Sequence, residues 1–242
     1  MGLSRSRRNH PYTGPGLIGC YERSVSTVAK MVSRVPGKKL ISEHYGESMS
    51  FSIRTERLLL EDMTGHDLAG LRCLGRDHDV MKYVLIWLEN DEQIAGYLQH
   101  AIDESQRPDR RDYLLAVRIP GTGEFAGFVM LEIDPDLEST AEIGYVLLPA
   151  YWNAGYASEI LRALLAFGFE GLSLHRVYGK CDELNLASAH VMEKCGLAYE
   201  GTLREHVWLR DHWRSSRYYG MLAGEYSPGR FGKKSHPRSS IV

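Results

Sequence analysis

The stretch Pro149-Ala150-Tyr151-Trp152-Asn153-Ala154-Gly155-Tyr156-Ala157-Ser158 carries the most legible chemistry in this chain. It follows an apolar run, Ile143-Gly144-Tyr145-Val146-Leu147-Leu148, that reads as a strand. It opens a helical pattern in which Ile160, Leu164 and Phe167 recur at i, i+4 and i+7, with Leu161 and Leu165 beside them. The first turn of a helix leaves backbone N–H groups without intrahelical partners, and the macrodipole adds partial positive charge there. Such a place receives a phosphate or pyrophosphate. Ala154, Gly155 and Ala157 are small enough to let a ligand approach the backbone closely. The bland alternative is an ordinary tight strand-to-helix connection. Neither GxGxxG nor GxxxxGK[ST] is present, which disfavours a dinucleotide or nucleoside-triphosphate site.

The elements that must position this turn follow from periodicity and punctuation. A strand is expected at 53–61, a helix near 65–74 and a polar turn through Arg76-Asp77-His78-Asp79. Asn90 reads as the N-cap of a helix at 91–105, with Gln93 completing a capping box. Strands at 112–119 and 124–133 flank the hairpin signal Pro120-Gly121-Thr122-Gly123. A strand at 140–148 enters the phosphate turn, and a helix at 156–170 leaves it. Strand 174–181, helix 186–195 and two closing strands near 197–210 and 213–224 complete the order. The expected fold class is a mixed α/β sheet with helices on its faces.

Residues 1–48 show no sustained periodicity and read as a basic, largely irregular extension with a short helix around 24–34. Met49 precedes the first strand, so translation beginning there would leave the extension out, and beginning at Met31 would leave out its first thirty residues. The folded domain is expected over 49–225, with a basic flexible tail at 226–242.

Charge is distributed unevenly. Residues 1–48 hold eight Lys/Arg against three Asp/Glu, and 226–242 hold four against none. The overall −2 therefore leaves −11 for the central domain. That disfavours nucleic-acid binding through the domain, which needs clustered cations, and suits attraction of a cationic amine. No apolar run is long enough for a membrane span and no secretory h-region is visible, so a cytoplasmic protein without membrane partners is expected. Cys20, Cys73, Cys181 and Cys195 lack CxxC spacing and read as reduced thiols. The ten histidines lack ligand spacing, and no metal is inferred.

Three ordered blocks give the chain a resemblance. Ala141-Glu142-Ile143-Gly144-Tyr145-Val146-Leu147 with Trp152-Asn153-Ala154-Gly155-Tyr156-Ala157 resembles the acetyl-CoA motif of the GNAT superfamily, with Asn153 in place of a glycine. Asn185-Leu186-Ala187-Ser188, Glu193-Lys194-Cys195-Gly196-Leu197 and Glu200-Gly201 resemble its second signature. Ile53-Arg54-Thr55-Glu56-Arg57-Leu58-Leu59-Leu60 resembles its opening strand. The nearest branch is that of the ribosomal-protein N-terminal acetyltransferases, and the likeness spans roughly 53 to 224.

The resemblance implies a sheet that splays at the phosphate turn, with the pantetheine arm of acetyl-CoA in the gap. The backbone of Val146, Leu147 and Leu148 would pair with that arm. The turn residues Asn153, Ala154, Gly155, Tyr156, Ala157 and Ser158 would hold its pyrophosphate, and Asn185 would bond its amides. Transfer to an amine needs a proton acceptor, an oxyanion donor, a stabilised thiolate and substrates held in line. Glu142 is the first candidate base, with Glu132 and His206 behind it. Glu142 could instead only position the amine or bridge a neighbour. Ser188 is the candidate partner of the leaving thiolate, because the position where many relatives keep a tyrosine is Met192. Ser188 could equally be a local cap. In the closing hairpin the frequent Arg-Asp pair reads Arg214-Ser215.

The expected activity is acetyl transfer from acetyl-CoA to a primary amine by direct attack in a ternary complex. The acceptor is a peptide N-terminus or a small amine such as an antibiotic or polyamine. A non-catalytic acyl-CoA sensor is the alternative from another class. A second copy of the chain, as a homodimer, is a candidate partner.

Overall fold

A computed structural model describes residues 50–228 apart from Trp87 and Glu138. The expectations for 1–48 and for the tail beyond Pro228 lie outside the described residues. The described chain builds an eight-stranded sheet in the order β1-β2-β3-β4-β5-β6-β8-β7. Its strands are β1 (Ser52–Arg54), β2 (Leu59–Asp62), β3 (Asp112–Ile119), β4 (Glu124–Ile133), β5 (Thr140–Leu147), β6 (Arg176–Asp182), β7 (Ala198–Leu209) and β8 (His212–Leu222). Every neighbouring pair is antiparallel except β5 and β6. Those two are joined through α4 (Tyr156–Ala166), as a parallel pair requires a crossover.

Helices cover both faces. α1 (Leu68–Arg76), α2 (His78–Met81) and α3 (Asp91–Ser105) lie on one face, α4 and α5 (Leu186–Lys194) on the other. Alternation along the strands feeds two cores. Leu114, Ala116 and Phe128 pack with Leu71, Leu74 and Ile94 on the α1–α3 side. Leu115, Val129, Leu131, Ala141 and Ile143 pack with Ile160, Leu161 and Leu164 on the other side.

Three local expectations need correction. The strand expected at 53–61 is broken, because Thr55 and Leu58 form a turn: Leu58 O accepts from Thr55 N at 2.9 Å and Thr55 Oγ1 from Leu58 N at 3.0 Å. The helix expected to reach residue 170 stops at Ala166 and widens into a π-turn over Phe167–Gly171, where the Leu172 N–H reaches Phe167 O. There the Phe167 ring wedges against Phe51 and Tyr113, with centroids 4.9 and 4.8 Å away. Asn90 does cap α3 by accepting from Gln93 N, but the Gln93 side chain accepts from Glu89 N, one residue before the cap.

Candidate active site

The turn after β5 presents backbone donors that suit an anion. A 3-10 turn at Pro149–Tyr151 leads to Asn153 and Gly155, both at positive φ (58° and 81°). Asparagine tolerates that conformation and glycine adopts it without steric cost. Gly155 is the N-cap of α4, and the first intrahelical bond runs from Glu159 N to Gly155 O at 3.1 Å. The N–H groups of Tyr156, Ala157 and Ser158 precede that bond. Asn153, Ala154 and Gly155 are exposed, whereas Ser158 is buried and its carbonyl accepts from Cys195 Sγ.

Arg57 flanks the same turn, although the sequence places it only within the opening strand. Its Nη1 donates to Ala154 O at 2.8 Å and its Nε to Glu159 Oε2 at 2.7 Å, and its guanidinium lies 4.5 Å above the Tyr156 ring. Burial pushes the Glu159 carboxyl up, but bonds from Thr55, the Arg57 N–H and the Arg57 guanidinium outweigh it and hold the pKa below the ordinary value. The break between β1 and β2 is thus the device that delivers a cation to the turn after β5. The signal for it is Thr55-Glu56-Arg57, but only the tertiary fold brings it to residue 154.

The wedge opens where β5 and β6 part. Their parallel pairing is confined to Thr140–Arg176, Ala141–Val177 and Glu142–Tyr178. Beyond it, strand alternation decides which β5 groups face the gap. Leu148 N donates to Ala126 O, and Val146 O faces Gly127, where an added Cβ would lie 2.1 Å from it. The backbones of Val146 and Leu148 therefore turn towards β4. Leu147 faces the open side, and its carbonyl accepts from the Trp152 indole at 2.8 Å. Of Val146, Leu147 and Leu148, it is Leu147 that turns its backbone to the open side.

Across the gap Asn185 caps α5, its Oδ1 accepting from Ser188 N at 3.0 Å. Ser188 Oγ lies 3.1 Å from the Tyr145 hydroxyl of β5. Burial pushes the Tyr145 phenol up to about 12, so it stays protonated at neutral pH and is able to donate. Met192 is buried in the core, and the hydroxyl beside Ser188 comes from Tyr145 on the strand. Nothing in the order of the chain signals this pairing, because only the splay brings residues 145 and 188 together. Cys181 is buried nearby and free, and burial pushes its thiol up to about 11, which removes it as a nucleophile at neutral pH.

A row of carboxylates crosses the α1–α3 face of the sheet. Cross-strand register aligns Asp112 with Glu132, Glu132 with Glu142, and Glu142 with Tyr178. Lys180 Nζ donates to Glu142 Oε2 at 2.9 Å, and the half-exposed His100 on α3 hydrogen-bonds Asp112 Oδ2 at 3.1 Å. Burial works to lower the Lys180 pKa, but the Glu142 carboxylate holds it above the usual value. The bond to Asp112 raises that of His100. Burial first, then the charges of Asp112 and Glu142, push the Glu132 carboxyl up to about 7. His206 is exposed on edge strand β7, three strands from β5, and does not join this group. Among the described residues no three His, Cys, Asp or Glu side chains converge to hold a metal ion, and no helix is long and apolar enough to cross a membrane.

The closing hairpin braces the loop between α2 and α3. Arg214 pairs with buried Asp182 and donates to Lys82 O, and Arg210 donates to Val84 O and Ile86 O.

Known proteins share this fold. The acetyltransferase (GNAT) domain family matches residues 57–198. The crystal structure of a GNAT-family acetyltransferase from Bacillus anthracis is 29% identical with a TM-score of 0.63, covering 72% of this chain and 99% of that one. A spermidine N-acetyltransferase from Vibrio cholerae, in complex with CoA and spermine, is 22% identical (TM-score 0.60; 70% of this chain, 97% of that one). RimL, a ribosomal α-N-protein acetyltransferase in complex with coenzyme A, is equally distant at 22% (TM-score 0.62; 71% and 98%). The two share the fold and differ in acceptor, so likeness to the ribosomal branch does not single it out. With its open, mostly antiparallel sheet and the wedge between β5 and β6, this chain belongs to the GNAT family of acetyl-CoA-dependent N-acetyltransferases.

Proposed function

We propose that the acceptor is a small di- or polyamine, acetylated on a primary nitrogen by direct attack on acetyl-CoA. The observation that carries this reading is the row Asp112, Glu132, Glu142 on one sheet face. Carboxylates on adjacent strands stand about 4.8 Å apart. In extended form, amines separated by three or four methylenes place their nitrogens about 5–6 Å apart. Three carboxylates face one permanent cation, Lys180, and one titratable one, His100. A substrate ammonium completes that balance. A single peptide N-terminus would use one carboxylate and leave the rest of the row unemployed. The acidic balance of the domain supports the same choice.

In this reading the turn Asn153–Ser158 and Arg57 hold the pyrophosphate, and Leu147 and Asn185 meet the pantetheine arm. Ser188, backed by the Tyr145 hydroxyl, protonates or stabilises the departing thiolate. Glu142, tied to Lys180, fixes the amine side of the cleft. Thiol release from acetyl-CoA measured against polyamines, ribosomal N-terminal peptides and aminoglycosides tests the proposal, with Ser188→Ala and Glu142→Gln as controls. Turnover confined to peptides would sink the polyamine reading. Tight acetyl-CoA binding without turnover on any acceptor would sink the catalytic one.

A further inference from the structure

We infer that Glu132, rather than Glu142, is the group that takes the proton from the acceptor amine. The inference rests on the amine acceptor proposed above and adds the identity of the base.

Two carboxylates are candidates by position, and their surroundings differ. Glu142 already accepts from Lys180 at 2.9 Å, so its charge is compensated and its lone pairs are partly engaged. Glu132 sits in the middle of the row, between Asp112 and Glu142, and among the described residues it makes neither a hydrogen bond nor an ion pair. A partly buried carboxylate between two like charges, with no partner, is poised to gain a proton. The groups facing it are Asp112 on β3, Glu142 on β5, Lys180 on β6, and His100 and Tyr97 on α3. The Tyr97 hydroxyl on α3, beside Glu132 and Asp112, is itself buried with no hydrogen-bond partner among the described residues. A carboxyl titrating near 7 is half ionised at neutral pH, which lets it both accept a proton and return it to water.

The step balances. An ammonium bound in the row loses a proton: its N–H bond breaks and an O–H bond forms on Glu132. The freed nitrogen lone pair attacks the thioester carbonyl carbon. The tetrahedral intermediate collapses, and the C–S bond breaks with its electron pair on sulfur. The second nitrogen proton passes to that thiolate through Ser188. Glu132 then releases its proton to water, so one proton leaves per turnover.

The test is the pH profile of kcat/KM for spermidine and putrescine between about pH 5 and 9, in the wild type, Glu132→Gln and Glu142→Gln. A carboxyl-carbon NMR titration of the wild type accompanies it. The expected result is a wild-type acidic limb near pH 7, matched by one carboxyl resonance titrating there. Glu132→Gln should lose that limb and about 100-fold in kcat. Glu142→Gln should keep the limb and raise KM. If the wild type acetylates amines and Glu132→Gln keeps both the limb and the rate, the inference is overturned and the proposed function stands. A wild type with no carboxyl titrating above the ordinary range would overturn it independently of how the variant folds. A wild type that acetylates no amine at all would overturn both.

Discussion

Replacing Glu132 by glutamine should stabilise the folded protein at neutral and alkaline pH while impairing its chemistry. The folded carboxyl stands at about 7 against an ordinary value of 4.5. A carboxyl whose pKa is raised on folding is bound more tightly by its proton in the folded state. Its contribution to stability is therefore fully present below about pH 4.5 and is lost as pH rises through about 7. The difference of about 2.5 pH units corresponds to a change on the order of 3 kcal/mol across that window. The amide introduced by Glu132→Gln is neutral at every pH, and its N–H groups would find acceptors in Asp112 and Glu142. The variant should match the wild type below about pH 4.5 and exceed it by on the order of 3 kcal/mol above about pH 8. For a domain of this size that is a rise in Tm of about 6–12 °C. Urea unfolding of both proteins at a series of pH values reads the difference directly. Parallel stability curves, with no divergence between acid and alkaline pH, would refute the claim that burial and its neighbours raise the Glu132 carboxyl to about 7.

Ser188→Ala should lower kcat by about 10-fold or more with little change in the KM for acetyl-CoA, and Tyr145→Phe should lower it less. Because the two hydroxyls share one hydrogen bond, the double variant should be no worse than Ser188→Ala alone, and additive losses would contradict a shared role. Arg57→Ala should weaken acetyl-CoA binding about 10-fold by removing a cation and leaving the Glu159 carboxylate uncompensated at the N-terminus of α4, measured by calorimetry. Arg57→Lys should restore only part of this, because one ammonium does not reproduce the fork that reaches both Ala154 O and Glu159. Gly127→Ala should destabilise by about 2–4 kcal/mol in urea, since its φ is +155° and the new Cβ would meet Val146 O at 2.1 Å.

Much of the fold was legible because its determinants are short-range. The ten-residue strand β4 and the eight-residue strand β3 fall where alternation and the Pro120–Gly123 turn put them. Helix α3 spans the residues that Asn90 and the apolar spacing mark out. The errors came where a distant contact overrode a local pattern. The Thr55–Leu58 turn interrupts an apolar run that would otherwise continue as a strand, and the turn is held by Glu159, more than a hundred residues away. The π-turn after α4 follows a ring cluster of Phe51, just before β1, Tyr113 on β3 and Phe167 at the helix end. Gln93 bonds Glu89 because the backbone entering the helix, not the motif, sets which N–H lies in reach.

The candidate site divides in the same way. The sequence by itself determined the donor-rich turn after β5 and placed a serine three residues beyond Asn185, since both are matters of neighbours along the chain. It also supplied Glu142 and Glu132 as candidates, with Glu142 first only by resemblance. Tertiary structure alone decided that Glu142 is tied to Lys180, that Glu132 stands between two carboxylates, and that Tyr145 faces Ser188 across the wedge. The physical reason is that strand register and the parting of β5 from β6 depend on packing two cores at once. A side chain's charge environment is set by residues that those cores, and not the chain's order, bring beside it.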